Sequence, residues 1–157
     1  MTALKSLLFL ILVAGLGAGY IPFVLLPKSP QIETGLFAYL AFPLWLLGGV
    51  MILRCFWLFT FKGHGTPAPI DPPKALVTTG FYRYVRNPIY LGALILLIGH
   101  FLWFKAIWML AYAVVVFLVF HLFVTLYEEP TLQAKFGAAY QQYYKSVPRW
   151  IPKIKRS

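Results

Sequence analysis

Ile98-Gly99-His100-Phe101-Leu102-Trp103-Phe104-Lys105-Ala106-Ile107-Trp108-Met109-Leu110 holds a single lysine at the junction of two long apolar runs, Pro88 to Phe104 and Ala106 to Tyr127. Each run is close to the roughly 20 residues a helix needs to cross the hydrocarbon of a bilayer. A connection centred on Lys105 leaves no room for a long loop, so the two runs are predicted to form a tight antiparallel hairpin. Toward the N-terminus lie two more apolar runs, Leu4 to Leu26 and Leu36 to Phe61. The first starts like a secretory leader, with Lys5 ahead of an apolar stretch and small residues from Ala14 to Ala18. Its apolar core is too long for a leader and continues through Tyr20 and Phe23, so it reads as a retained span.

Composition points the same way. Of 157 residues, 61% are hydrophobic and 11% charged, too little polar surface to cover a water-soluble domain of this size. The formal net charge is +10, yet the basic residues cluster between the apolar runs. That distribution argues against nucleic acid as a partner and for orientation in a bilayer with anionic headgroups. Lys28 and Lys105 are the sole basic residues of the first and third connections. Lys62, Lys74, Arg83 and Arg86 fall in the second, and Lys135, Lys145, Arg149, Lys153, Lys155 and Arg156 in the tail. The excess of positive charge on cytoplasmic loops places the 62–87 loop, the 128–157 segment and Lys5 inside. The expected fold is therefore an all-α integral membrane protein in a single domain, 1–157. It has four transmembrane helices (about 4–26, 36–61, 88–104 and 106–127) and both termini in the cytoplasm. With neither a cleavable leader nor disulfides expected, a bacterial inner membrane is the predicted location, an organelle membrane being compatible.

The 62–87 loop contains Gly63, Gly65, Pro67, Pro69, Pro72 and Pro73, which exclude a regular helix. After the last span, Glu128-Glu129-Pro130 is followed by Leu132, Phe136, Tyr140 and Tyr143 at helical spacing. That pattern predicts an amphipathic helix beginning with acidic residues and a proline and lying along the interface. Val147 to Pro152 reads as an extended segment with Trp150 as an interfacial anchor. Cys55 is the sole cysteine and reads as an apolar filler. His64, His100 and His121 are scattered, and no metal site is expected.

Polar side chains gather in two places, the strip from Lys74 to Tyr90 and the pair Glu128-Glu129, and the hairpin brings both to one membrane surface. Gly80-Phe81-Tyr82-Arg83-Tyr84-Val85-Arg86-Asn87-Pro88-Ile89-Tyr90-Leu91-Gly92 followed by Glu128-Glu129-Pro130, Phe136-Gly137, Tyr140, Tyr143 and Val147-Pro148-Arg149 resembles the C-terminal half of the isoprenylcysteine carboxyl methyltransferase family and the related phospholipid methyltransferases. The resemblance covers about residues 74 to 152. It implies methyl transfer from S-adenosylmethionine to a lipid-like or other apolar acceptor, a carboxylate or an amine, at the cytoplasmic face. It also implies a cofactor pocket lined by Leu76, Val77, Gly80, Tyr82, Arg86, Asn87, Pro88 and Tyr90 with Glu128 and Glu129. Chemically, a carboxylate can accept hydrogen bonds from two ribose hydroxyls, and aromatic faces suit both adenine and a sulfonium cation.

Two positions depart from the family pattern. Asn87 stands where the family has histidine in Arg-His-Pro-x-Tyr, and Val124 stands where the prenylcysteine enzymes carry an arginine one turn before the first glutamate. Arg54, expected to be buried in the cytoplasmic half of the second span, is the candidate to supply that charge from another helix; otherwise it snorkels or pairs with Glu128 or Glu129. An amine acceptor needs deprotonation, for which His121, Tyr127 and Glu129 are candidate bases. Two other readings stay open. Membrane sterol reductases that use NADPH have a similar C-terminal arrangement but carry a glutamate after Tyr-x-Gly, where this chain has Ala93. A non-catalytic membrane protein or small transporter is the other, although the spans show neither midplane polar groups nor an internal repeat. Gly15, Gly19, Gly48 and Gly49 permit close helix contacts, and the oligomeric state is left open.

Overall fold

A computed structural model describes residues 11, 15–63 and 74–153 of the chain. Lys5, His64, Gly65, the prolines from Pro67 to Pro73, Lys155, Arg156 and most of the 4–14 stretch lie outside the described residues. A π-helical turn over Gly15–Tyr20 leads into α1, Ile21–Leu25. A 3-10 turn over Gly35–Leu40 leads into α2, Ala41–Phe61, and the two form one run of 27 residues. Helix α3 is Pro88–Phe104 and α4 is Ile107–Phe123; a π-helical turn, Val124–Glu128, joins α4 to α5, Glu129–Ser146. Among the described residues there is no strand, only an isolated bridge between Gln31 and Ala106.

The Gly35–Phe61 and Ile107–Ser146 runs are long and apolar enough to cross a membrane, and α3 is a shorter apolar helix. Their outward faces are largely hydrocarbon: Leu46, Leu47, Val50 and Leu53 on α2, and Val114, Val115, Leu118, Val119 and Leu122 on α4 are all exposed. Surface of that extent suits lipid rather than water.

Small residues let α2 and α3 pack backbone to backbone. A Cβ on Gly48 would stand 2.6 Å from the Gly92 carbonyl oxygen, and one on Gly92 3.0 Å from that of Gly48. Such contacts exclude any larger side chain and hold helices close in lipid, where no hydrophobic effect drives them together.

The hairpin forms at Lys105, whose backbone is left-handed (φ 56°, ψ 22°) and reverses the chain within one residue. The preceding connection clamps this turn. Lys105 accepts at its carbonyl from the Ile32 N–H (2.8 Å), the Ile107 N–H donates to the Pro30 carbonyl (3.2 Å), and the Lys105 ammonium meets Glu33 at 3.1 Å. Trp108 adds two hydrogen bonds to the same segment, from its backbone N–H to the Ser29 hydroxyl and from its indole to the Lys28 carbonyl. The described part of the first apolar run docks on α4, where the Tyr112 hydroxyl donates to the Gly17 carbonyl at 2.9 Å.

The expected amphipathic helix is α5, which starts at Glu129 with Pro130 in its first turn. No break separates it from α4; the chain continues through the wide turn, in which the Glu129 N–H donates to the Val124 carbonyl five residues back. Pro130 has no N–H to give the carbonyl four residues before it. A turn already widened to i→i+5 tolerates that loss, which is why the proline does not end the helix. The break comes at Gly137, with φ 53° and ψ −125°, a conformation that side-chain-bearing residues avoid.

Candidate functional site

The polar strip, the π-helical turn and α5 enclose a cleft lined by Phe59, Leu76, Val77, Tyr82, Arg86, Asn87, Glu128, Glu129, Leu132, Tyr140 and Tyr143. Its walls follow from local sequence. Lys74 donates its N–H to the Gly63 carbonyl at 2.8 Å, which returns the chain to the end of α2. Gly80, at φ 63°, then opens a short 3-10 turn, Gly80–Arg83. A Cβ there would approach the Leu58 side chain to 2.8 Å, so glycine is required on both conformational and steric grounds. The turn buries Tyr82 against Cys55, Leu58 and Val77. Burial pushes the Tyr82 phenol well above its ordinary range, keeping it neutral.

The opposite wall is α5, which turns Tyr140 and Tyr143 inward, with Leu132, Phe136, Leu76 and Val147 packed around them. The Tyr143 hydroxyl donates to the Tyr82 carbonyl at 2.8 Å and ties the walls together. The final segment closes the end of the cleft. Arg86 N–H donates to the Pro148 carbonyl (2.9 Å), Lys153 N–H to the Tyr84 carbonyl (3.0 Å), and the Asn87 amide to the Arg149 carbonyl (3.2 Å).

The two adjacent carboxylates have separate duties. Tyr90 donates to Glu128 at 2.7 Å. Burial raises the Glu128 carboxyl, the Tyr90 hydrogen bond opposes that, and the charge of Glu129 adds to it. Glu129 receives two hydrogen bonds from Arg149, at 2.9 and 2.8 Å, and lies 2.9 Å from Arg86 Nη1. Those bonds raise the Arg149 guanidinium further above its ordinary range. Arg86 stacks on the Tyr144 ring, 3.9 Å from its centre. The side chain of Arg86 is 7% exposed, and neither Nε nor Nη1 has an aligned hydrogen-bond acceptor among the described residues. Its Nη1 is near enough to Glu129 for charge attraction but is badly angled for a hydrogen bond. Buried guanidinium donors left without acceptors are costly, and here they border a cleft.

Of the expected pocket residues, Leu76, Val77, Tyr82, Arg86, Asn87, Glu128 and Glu129 line the cleft. Tyr90 reaches it through its bond to Glu128, while Gly80 and the buried Pro88 shape the backbone at its edge. Three candidates lie elsewhere. Arg54 is exposed on the outer face of α2, and the Glu128 and Glu129 carboxylates are engaged by Tyr90, Arg86 and Arg149 instead. His121 accepts a hydrogen bond at Nδ1 from the Trp150 indole (3.1 Å), and Tyr127 is exposed. Trp150 thus packs on Phe117 and His121 of α4 in addition to any interfacial role. Glu129, paired with two arginines, is a clamp and a poor base. Val124 is fully buried, so no charge faces the cleft from that position. Sequence reasoning missed Phe59 and the clamp role of Arg149. The Leu132, Tyr140 and Tyr143 spacing did signal an inward face, but Phe59 looks like every other apolar residue of its span.

A helical bundle sheathed in hydrocarbon, with a polar, aromatic-walled cleft at one end, is a membrane protein of a defined type. The chain belongs to the phospholipid methyltransferase family, whose sequence profile matches residues 36–139. It is 36% identical over 89 residues to a methanethiol S-methyltransferase of Crocosphaera subtropica, a stretch covering 52% of this chain and 31% of that protein. It is 40% identical over 85 residues to a protein-S-isoprenylcysteine O-methyltransferase of Schizosaccharomyces pombe, covering 50% of this chain and 34% of the relative. The match thus spans about a third of the length of these two relatives.

Proposed function

We infer that the protein is a membrane methyltransferase that draws S-adenosylmethionine from the cytosol and an apolar acceptor from the bilayer. The observation that carries this reading is the chemistry at the cleft, where a buried carboxylate, Glu128, shares the space with the unsatisfied guanidinium donors of Arg86. A nucleoside bearing an amino-acid tail offers the complement of both. Its ribose hydroxyls would donate to Glu128, its carboxylate would accept from Arg86, and its adenine would lie among Leu76, Val77 and the tyrosines. Family membership favours methyl transfer over the NADPH-reductase and non-catalytic readings.

The donor, when bound, supplies a methyl group on a positively charged sulfur. What this chain contributes is alignment and exclusion of water, the main requirements of an in-line displacement. Glu128 and Arg86 would fix the two ends of the donor, and the aromatic walls would shield the methyl. Since His121 and Tyr127 are outside the cleft and Glu129 is clamped, an acceptor that is already a nucleophile, such as a carboxylate or a thiolate, suits the site better than an ammonium needing a base. The names of the two relatives give methanethiol, methylated on sulfur, and a protein S-isoprenylcysteine, methylated on oxygen, as the acceptors of those proteins.

The cleft as it stands holds a cavity of about 30 Å3, room for a water or two, so donor binding requires the walls to part. Gly137, where α5 already breaks, is the hinge this motion would use. The same reading takes the chain to cross the membrane four times, with the cleft and both termini in the cytoplasm and the basic residues beside them, in a bacterial inner membrane.

Calorimetric titration of the detergent-purified protein with S-adenosylhomocysteine tests the reading. Saturable binding weakened by both Glu128→Ala and Tyr90→Ala is expected; folded wild-type protein that binds none would overturn it.

A further inference from the structure

Helix α2 presents an outward face of Leu47, Val50, Leu53, Trp57 and Phe61, all exposed, and Arg54 stands exposed in the middle of it. Two donors on this face have no acceptor among the described residues. Arg54 makes no ion pair or hydrogen bond among the described residues. The Trp57 indole N–H, one turn further on, makes none either, whereas those of Trp45, Trp108 and Trp150 donate to His100, the Lys28 carbonyl and His121.

Snorkelling brings the charge toward the headgroups but supplies no partner for it. Arg54 lies seven residues before the end of α2 at Phe61, about 10 Å of helix. Its Cα–Cβ bond tilts toward the helix N-terminus, away from that end. The protein does not supply a counter-charge from the described residues. The sequence has four acidic residues, Glu33, Asp71, Glu128 and Glu129. Glu33 pairs with Lys105, and Glu128 and Glu129 are engaged inside the cleft. Asp71 belongs to the polar connection beyond α2. The same shortage argues against a second copy of this chain as the occupant, since a copy has no free carboxylate among its described residues to offer.

We propose that the outward face of α2 around Arg54 and Trp57 binds the phosphate headgroup of an anionic phospholipid. The guanidinium fork matches two phosphate oxygens, the Trp57 N–H supplies a further donor, and acyl chains lie along Leu47 and Val50. Lys62, exposed where α2 ends, adds positive charge that favours an anionic over a zwitterionic headgroup.

Native mass spectrometry of the full chain, released from detergent and titrated with phosphatidylglycerol, phosphatidylcholine or diacylglycerol, tests this. One phosphatidylglycerol adduct is expected to outlast the phosphatidylcholine adduct, diacylglycerol should form none, and inorganic phosphate should not compete. Arg54→Gln should weaken the adduct by at least about tenfold, the worth of a charge-assisted hydrogen bond. Arg54→Lys and Trp57→Phe should fall between it and the wild type, and they decide the matter if circular dichroism shows that Arg54→Gln has lost its helix. Equal retention of phosphatidylglycerol by wild type and Arg54 variants, or equal binding of diacylglycerol, overturns the proposal.

Discussion

The Tyr90 hydroxyl, at the start of α3, donates at 2.7 Å to Glu128, at the end of the turn that follows α4. This bond joins the two free ends of the hairpin. Tyr90→Phe leaves a buried carboxylate short of a donor, a loss worth about 1–3 kcal/mol. The melting temperature in detergent should fall, while Tyr82→Phe, whose backbone carbonyl rather than its hydroxyl meets Tyr143, should cost less.

Glu128 gives two pH responses of opposite sign. Its carboxyl is raised by burial, so the folded state binds a proton more tightly than the unfolded chain does. The ligand-free fold should therefore gain stability from this group as pH falls, and lose it as pH rises through the raised value. A ligand whose hydroxyls donate to the ionised carboxylate should instead bind more weakly as pH falls, beginning above the ordinary carboxylate range. Parallel pH series of melting temperature and S-adenosylhomocysteine affinity should diverge in the wild type and flatten in Glu128→Gln.

Removing the charge of Glu129 leaves two guanidinium groups facing each other, one of them buried. Glu129→Gln is expected to destabilise the protein by about 3 kcal/mol, the scale for breaking a buried pair, and to release the final segment. Limited proteolysis should then cut near Arg149 faster than in the wild type, and Arg149→Lys, which keeps the charge, should release it less.

Neighbouring glycines on α2 should respond differently to the same change. A methyl on Gly48 meets the Gly92 carbonyl oxygen at 2.6 Å and the Leu96 side chain at 2.9 Å, whereas one on Gly49 meets nothing within 4 Å. Gly48→Ala should cost about 1–3 kcal/mol through overpacking and lower the melting temperature. Gly49→Ala should leave it unchanged or slightly raised, alanine being the better helix former.

The hairpin was legible in the sequence because Lys105 interrupts forty residues of apolar chain, and no other local structure satisfies the backbone there. The grouping of Leu76, Val77, Tyr82, Arg86 and Asn87 with the two glutamates was legible from the ordered motifs and from the hairpin that returns the chain. The start of α5 at Glu129, with Pro130 in its first turn, was legible as well, but its continuity with α4 was not. Nothing in Val124-Thr125-Leu126-Tyr127-Glu128 announces a widened turn, and the pairings beside it, of Glu128 with Tyr90 and of Glu129 with Arg86 and Arg149, are long-range. Arg54 was misplaced because α2 is apolar on every side, so its sequence gives no period from which to tell an inward residue from an outward one.

The widened turn has an evolutionary consequence. Five residues there do the work that four do in a regular helix, so deleting one would heal the ladder and regularise the backbone. One residue lost would offset one residue's excess, so the healed helix would keep Glu128 and Glu129 at about their present bearing, whereas a deletion in the regular turns of α4 would carry both round its axis by about 100°. The widened turn is therefore the place ahead of the carboxylates where a residue can be lost without turning them from Tyr90 and the two arginines.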